Sequence, residues 1–153
     1  MTQPILWYFV EPMCSWCWGF ATTFEKVKDT FEDQVRIAFI MGGLRPGGKD
    51  PVTSQFRDDI LHHWHEVEKM TGANFNFEGA MPEGFIYNTE IPSRAIIAVS
   101  EISPEKNYAY YKSVQEAFYK DSMDITQAEQ LLMFADRPGI EPEKFRASFH
   151  SAT

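Results

Sequence analysis

Apolar side chains form two short blocks near the N-terminus and then stripes with a helical period. Residues 5–10 are apolar throughout, and such a run predicts a strand covered on both faces, as in a parallel sheet. Residues 15–32 carry one apolar stripe and are predicted to form a helix packed on that sheet. The stripe consists of Phe20, Phe24, Val27 and Phe31. Residues 35–41 alternate in polarity and predict a second strand, so the strand–helix–strand order favours parallel pairing.

Beyond residue 52 the pattern predicts helices only, five in number. Ser93 is the expected N-cap of the second, and residues 126–129, Thr-Gln-Ala-Glu, have the form of a capping box for the fourth. The predicted helices cover residues 53–71, about 93–102, 104–120, about 126–135 and the stretch from Pro142 onward. The fold class is therefore α/β, with a β-α-β unit over residues 1–45. Residues 46–153 form a helical part that is not independent.

Composition narrows the partners that we expect. The 153 residues include 22 acidic and 14 basic side chains, for a net charge of −8, which argues against nucleic acid and anionic membranes as partners. No apolar run approaches the ~20 residues of a membrane span. The first residues lack the positive segment of a secretory signal. We therefore expect a cytoplasmic protein, and in the cytosol the default state of a cysteine pair is reduced.

Two cysteines, Cys14 and Cys17, are the only ones in the chain and lie between the first strand and the first helix. A thiolate at a helix start is stabilised by the unsatisfied N–H groups of the first turn and by the helix dipole. Cys17 follows one turn later on the same side of the helix. We therefore predict thiol–disulfide exchange with Cys14 as the nucleophile and Cys17 as the resolving thiol.

Other roles for the cysteines have less support in the sequence. A structural zinc site needs four ligands, and there is no second cysteine pair. His62, His63 and His65 lack the i, i+4 spacing of helical zinc ligands, so we expect a solvated or packed cluster and no bound metal.

The aromatic residues of the irregular segment 73–92 could line a groove near the thiols, but packing onto the helical core is favoured.

The segment Glu-Pro-Met-Cys-Ser-Trp-Cys-Trp-Gly-Phe at residues 11–20 resembles the active-site segment of DsbA-like thioredoxin-fold proteins. It is most similar to the cytosolic branch that includes FrnE and 2-hydroxychromene-2-carboxylate isomerases. Weaker similarity continues at residues 39–44, 88–95 and 124–139. The resemblance implies a thioredoxin fold interrupted by a helical insertion, and thiol–disulfide chemistry.

The chain also departs from this family. Members return to the thioredoxin half after the helices, with two more strands, a helix and a cis-proline opposite the cysteines. None of the nine prolines here heads a late apolar strand. We therefore expect the C-terminal strands and the cis-Pro loop to be missing, so that the chain is a fragment or its fold is completed in another way.

The sequence supports one main function and two alternatives. The main prediction is an oxidoreductase that needs no cofactor and acts on protein or small-molecule disulfides, with Pro12, Ser15 and Trp16 as redox-tuning or substrate-contact residues. Because Ser15 and Trp16 supply no positive charge, we expect a less oxidising protein than relatives with a histidine between the cysteines. The first alternative is a glutathione-dependent isomerase or transferase of the kappa-type branch. The second is an inactive fragment that forms a homodimer through its open sheet edge.

Overall fold

The computed structural model describes residues 2–151, so the ends of the two predicted parts, Met1 and positions 152–153, lie outside it. The elements are β1 Ile5–Val10, α1 Ser15–Phe31, β2 Arg36–Met41, α2 Ser54–Thr71, α3 Glu90–Ile102, α4 Asn107–Tyr119, α5 Ala128–Ala135 and α6 Pro142–Ser151. A short 3-10 turn, Pro104–Lys106, precedes α4. This order confirms the predicted α/β fold, a β-α-β unit followed by five helices. Within the described residues, no helix is long and apolar enough to cross a membrane.

The two strands pair in parallel, as predicted, with Ile5 opposite Arg36 and Val10 opposite Met41. One face of β1 is covered, because Tyr8 stacks on Phe24 of α1 with ring centroids 4.1 Å apart. The expectation that β1 is covered on both faces was wrong. Trp7 is 55% exposed and Phe9 is 67% exposed. Successive strand residues point to opposite faces, so Trp7 and Phe9 share the face of β1 that is opposite Tyr8 and is left exposed.

The hydrophobic core lies mainly in the helical part of the molecule. Trp64 of α2 is almost completely buried, and its ring packs against Phe75, Phe118 and Tyr119. Phe75 belongs to the irregular segment between α2 and α3, as do the buried Phe85 and Tyr87. The prediction that the aromatic residues of this segment pack on the helices is therefore confirmed for Phe75 and Phe85, whereas Tyr87 also lines a cleft beside Cys14.

The β-α-β unit is joined to the helical part where α1 packs on α2. Gly19 lies at this crossing, and a Cβ atom at this position would come 2.5 Å from Cγ1 of Val67. Phe39 of β2 makes a second junction, because its ring lies about 6 Å from those of Tyr108 and Tyr111 on α4. Together these contacts hold the β-α-β unit, with the cysteines at the start of α1, against the helices.

The predicted helix ends were partly right. At the start of α2, the Thr53 hydroxyl accepts from the Phe56 N–H, and Gly72 ends the helix with a φ of 73°. The predicted N-cap at Ser93 was wrong, because α3 already begins at Glu90. The capping box at residues 126–129 was also wrong, since the Thr126 hydroxyl donates to Asp124 instead of capping α5. In both cases the hydroxyl donates its hydrogen bond elsewhere, from Ser93 to Glu11 and from Thr126 to Asp124.

Candidate active site

Cys14 is the N-cap residue of α1. Its backbone is extended, with φ −94° and ψ 116°, and its carbonyl accepts the first helical hydrogen bond from Trp18 N–H at 3.1 Å. Its own N–H donates to the Glu11 carbonyl at 3.2 Å. The strand and the helix are thus joined by a short turn that fixes the sulfur at the helix start, as the sequence predicted.

The environment of the Cys14 sulfur favours its anion. The Cys17 thiol and the backbone N–H groups of Cys17 and Trp16 favour the charged form of Cys14 as hydrogen-bond donors. Together they lower the pKa of Cys14 from its ordinary 9.0 to about 6, against the opposing effect of partial burial. Cys14 therefore exists largely as a thiolate at neutral pH.

The pKa of Cys17 is shifted in the opposite direction to that of Cys14. Its thiol hydrogen is held by the hydrogen bond to Cys14, and burial together with the charge on Cys14 further disfavours a second anion, so the pKa of Cys17 is raised well above its ordinary value. Both cysteines are free thiols. The pair thus shares one proton, which stays on Cys17.

A buried carboxylate lies beneath the thiols, which the sequence analysis missed. Glu11 is only 4% exposed. Its Oε2 accepts hydrogen bonds from the N–H groups of Gly43 at 3.0 Å and Leu44 at 3.2 Å, and its Oε1 accepts from the Ser93 hydroxyl at 3.1 Å. The available signal was an acidic residue directly after an apolar strand, a position where burial without partners would be unfavourable.

Tyr87 supports the active-site turn from the irregular segment before α3. Its hydroxyl donates to the carbonyl of Met13 at 2.6 Å, and both residues are buried. Burial, with the negative charges of Cys14 and Glu11, raises the pKa of Tyr87, so the phenol keeps its proton and remains a donor. No sequence pattern pairs two residues so far apart in the chain.

An open, mainly apolar cleft of about 260 Å³ adjoins Cys14. It is lined by Met13, Cys14, Ser15, Trp16, Leu44, Ile60, His63, Trp64 and Tyr87. A smaller recess of about 160 Å³ lies between the end of β1 and Leu44 and is lined by both cysteines. Of these two openings, Cys14 lines both and Cys17 lines the smaller one.

The other predicted site residues differ in how far they are exposed to solvent. Pro12 is buried, Ser15 is half-buried and Trp16 is 46% exposed. Both Ser15 and Trp16 line the cleft beside Cys14. Their roles in tuning or substrate contact stay predictions, and of the three Trp16 offers the largest surface to a substrate.

The histidines of α2 are exposed, as expected of a solvated cluster. His62 and His63 lie beside Glu66, and His65 lies beside Glu68, at 3.2–3.8 Å. Across residues 2–151, no three His, Cys, Asp or Glu side chains converge in a way that could hold a metal ion.

Residues 7–153 match the model of a family described as thioredoxin. The ClpXP adapter protein SpxH of Halalkalibacterium halodurans is 24% identical over 151 residues, which is 95% of this chain and 49% of that protein. SpxH of Shouchella clausii is 20% identical over 95% of this chain. The chain spans about half the length of these curated relatives.

Solved structures show the same arrangement of elements. A candidate protein disulfide isomerase from Nitrosomonas europaea is 39% identical, with a TM-score of 0.90 over 97% of this chain and 71% of its own. The cytosolic disulfide reductase DsbM from Pseudomonas aeruginosa is 20% identical, with a TM-score of 0.80 over 96% of this chain and 69% of its own, and shows the likeness in fold. The chain therefore belongs to the thioredoxin family, with the inserted helices of its DsbA-like members.

Proposed function

We propose that this protein is a thiol–disulfide oxidoreductase with Cys14 as the attacking thiolate and Cys17 as the resolving thiol. The observation that carries the proposal is the position of the two thiols: Cys14 is the N-cap of α1 and Cys17 lies in its first turn. There the Cys17 thiol and two backbone N–H groups lower the pKa of Cys14 to about 6. A thiolate is the reactive form in exchange, and Cys17 follows on the same side of the helix one turn later. The membership of the thioredoxin family supports the same chemistry.

The reaction proceeds in two exchanges. The Cys14 thiolate attacks one sulfur of a substrate disulfide, an S–S bond forms to Cys14, and the other substrate sulfur leaves as a thiolate. Cys17 then loses its proton and attacks the Cys14 sulfur, which releases the second substrate thiol and leaves a Cys14–Cys17 disulfide. Two electrons pass from the cysteine pair to the substrate, and the reverse sequence oxidises a dithiol. The cysteines carry the electrons, so no bound cofactor is required.

The cleft beside Cys14 supports a protein or peptide disulfide as the substrate. Sites that enclose a whole small molecule usually measure ~300–1,000 Å³, whereas this cleft measures about 260 Å³ and is open. It suits one large side chain next to the substrate cysteine, in contact with Trp16, Ile60 and Leu44. We expect disulfides flanked by Leu or Phe to react faster than those flanked by Asp, since no lysine or arginine lines the cleft.

The experiment follows exchange with peptide disulfides in the wild-type protein and two single variants. Cys14→Ser should abolish exchange, because no thiolate remains at the helix start. Cys17→Ser should accumulate a mixed disulfide with the substrate, visible as a mass increase, because resolution is lost. Exchange that persists in Cys14→Ser, or a mixed disulfide on Cys17 in the wild type, would show that the assignment is wrong.

A glutathione-dependent isomerase or transferase is the second candidate. The observation that favours it is the solved complex of DsbM with GSH, which has the same fold. Calorimetric binding of glutathione, together with activity that survives Cys17→Ala, would support this role. No heat of binding, and loss of activity in Cys17→Ala, would favour the oxidoreductase.

DsbM is described as cytosolic, and we propose the cytoplasm for this protein also.

A further inference from the structure

One side chain of the cleft beside Cys14 has no part in the two exchanges described above. His63 of α2 lines this cleft together with Cys14. Histidine binds and releases protons near neutral pH more readily than other side chains. Tyr87, which lines the same cleft, has a raised pKa and keeps its proton. Apart from the cysteine itself, His63 is therefore the side chain of the lining that is suited to proton transfer.

Glu66 orients the imidazole ring of His63. Its Oε2 lies 3.2 Å from Nδ1 of His63, on the same helix. Because an ionised carboxylate can only accept a hydrogen bond, this bond places the hydrogen of the neutral ring on Nδ1 and leaves Nε2 to take up and release a proton. Across residues 2–151, no other group of the chain bonds to Nε2. A carboxylate behind an imidazole is the arrangement that orients a histidine acting on a reacting group.

We propose that His63 is the acid–base residue of the exchange: its Nε2 gives a proton to the sulfur that leaves the substrate when Cys14 attacks, and takes a proton from the incoming thiol in the reverse direction. This inference rests on the proposed thiol–disulfide exchange with Cys14 as the nucleophile. It deepens that proposal by naming the proton donor for the leaving group.

The proton and the electron pair go to the same atom. As Cys14 attacks, its sulfur forms a bond to the nearer substrate sulfur and the S–S bond of the substrate breaks. The electron pair of that bond passes to the other substrate sulfur, which also receives the proton from Nε2 of His63 and departs as a thiol rather than a thiolate. His63 is left neutral and regains a proton from solvent, because its side chain is 58% exposed.

The benefit of this proton depends on the leaving thiol. A thiol of low pKa leaves readily as its anion, whereas an alkyl thiol such as cysteine, with an ordinary pKa of ~8.5, leaves more slowly. Proton donation therefore speeds the departure of alkyl thiols alone. General acid catalysis usually contributes at least ~100-fold, and we expect about tenfold here because an alkyl thiolate also leaves unaided.

The test compares His63→Gln with the wild type on two disulfides of one peptide, the first with free cysteine and the second with nitrothiobenzoate, an acidic aromatic thiol. The part of the substrate that binds is the same, and only the leaving group differs. We expect kcat/KM to fall about tenfold with the cysteine leaving group and to change by less than about twofold with the aromatic one. Equal changes with both leaving groups, or no change with either, would overturn the proposal.

His65→Gln is the matched control. His65 is also exposed on α2 and lies beside a carboxylate, that of Glu68, but it does not line the cleft. Both rates should stay at the wild-type values in this variant. Glu66→Gln, which removes the orienting carboxylate, should lower the rate with the cysteine leaving group alone. An unchanged rate in Glu66→Gln would overturn the orienting role of Glu66.

The rate of Cys14 alkylation separates proton donation from an effect on the nucleophile. It should be the same in His63→Gln and the wild type. A loss of alkylation rate as large as the loss of exchange would show that His63 acts on the Cys14 thiolate instead, and would overturn the proposal.

The same rates distinguish this inference from the proposed function. Wild-type protein that reacts with neither disulfide would overturn the proposed function and this inference with it. Wild-type protein that reacts with both, with the ratio of the two rates unchanged in His63→Gln, would overturn this inference alone.

Discussion

Cys14 occupies a position at which the backbone itself stabilises an anion. The N–H groups of the first helical turn have no partners within the helix, and those of Cys17 and Trp16 favour its thiolate. The Cys17 thiol adds a third donor. This arrangement needs no positively charged side chain, in keeping with the Ser15-Trp16 pair between the cysteines. The expectation of a less oxidising protein than histidine-containing relatives stays a prediction.

The lowered pKa of Cys14 makes the stability of the reduced protein depend on pH. The group has a pKa of about 6 when folded and 9.0 when unfolded, so its stabilising contribution is complete above pH 9 and is lost as the pH falls toward 6. Cys17, whose pKa is raised in the folded state, keeps its proton there, but unfolded Cys17 begins to ionise as the pH approaches its ordinary 9.0 and then opposes the effect of Cys14. The free energy of unfolding should therefore increase between pH 6 and 8, by at most about 1.4 kcal/mol per pH unit.

Urea unfolding of the reduced wild type and of Cys14→Ser, measured at several pH values, tests this pH dependence of the free energy of unfolding. The difference between the two proteins removes the contributions of the groups that do not interact with Cys14. It should grow in favour of the wild type as the pH rises. A difference that is independent of pH would contradict the stabilised thiolate.

Individual residues were predictable where one local pattern determined the outcome. Cys14 and Cys17 could be located because a strand, a cysteine pair and a helix adjoin in sequence. Glu11 was missed because its partners, Gly43, Leu44 and Ser93, are distant in the chain. Ser93 was taken for an N-cap because a serine before an apolar helical stretch is typical of one, whereas its hydroxyl bonds to Glu11 in the folded chain.

At the level of the elements, the crossing of α1 and α2 holds the cysteine-bearing helix in place. Gly19 permits the close approach, since a Cβ atom there would clash with Val67 at 2.5 Å and meet the side chain of Thr71 at 3.0 Å. The apolar stripe of α1 could not reveal this contact. Only Phe24 of the predicted stripe is buried, while Phe20 and Phe31 are more than 40% exposed.

Gly19→Ala should therefore destabilise the fold despite the higher helix propensity of alanine. Overpacking of this kind costs roughly 1–3 kcal/mol, and alanine returns at most about 1 kcal/mol. Thermal unfolding measures the net loss. Thr22→Ala, on an exposed part of the same helix, is the control and should change stability by less than ~0.5 kcal/mol.

A double variant tests whether the clash with Val67 causes the loss of stability in Gly19→Ala. Val67→Ala removes the clashing methyl group, so Gly19→Ala should be less harmful in that background than in the wild type. Equal losses in both backgrounds would show that the Gly19–Val67 contact is not what limits the crossing.

In the molecule as a whole, the helical part is a well-packed core, whereas the sheet is open. Element types and order were predictable from apolar periodicity, because each helix buries one face. The burial of β1 could not be predicted in the same way, because an apolar run does not show whether another element packs on each face of the strand. The division near residue 45 and the formation of a homodimer stay predictions.

Two neighbouring substitutions in β1 test whether its outer face meets solvent. Phe9 is 67% exposed and Val10 is 2% exposed. Phe9→Thr, which keeps a good strand former, should change the free energy of unfolding by less than ~0.5 kcal/mol. Val10→Ala should cost about 2 kcal/mol.

Sedimentation equilibrium of the same proteins shows what covers the face if Phe9→Thr proves as harmful as Val10→Ala. A dimer in the wild type that dissociates in Phe9→Thr would support the homodimer. A monomer in both, with a large loss of stability in Phe9→Thr, would contradict the exposed position of this side chain.

The most direct test of the account is the rate of Cys14 alkylation as a function of pH, measured on reduced Cys17→Ala and wild-type protein. In the wild type the rate should rise with a midpoint near the pKa of about 6 that the structure gives Cys14. In Cys17→Ala, which lacks the donated hydrogen bond, the midpoint should move upward. A wild-type midpoint at the ~8.5 of a free thiol, unchanged in the variant, would contradict the stabilised thiolate.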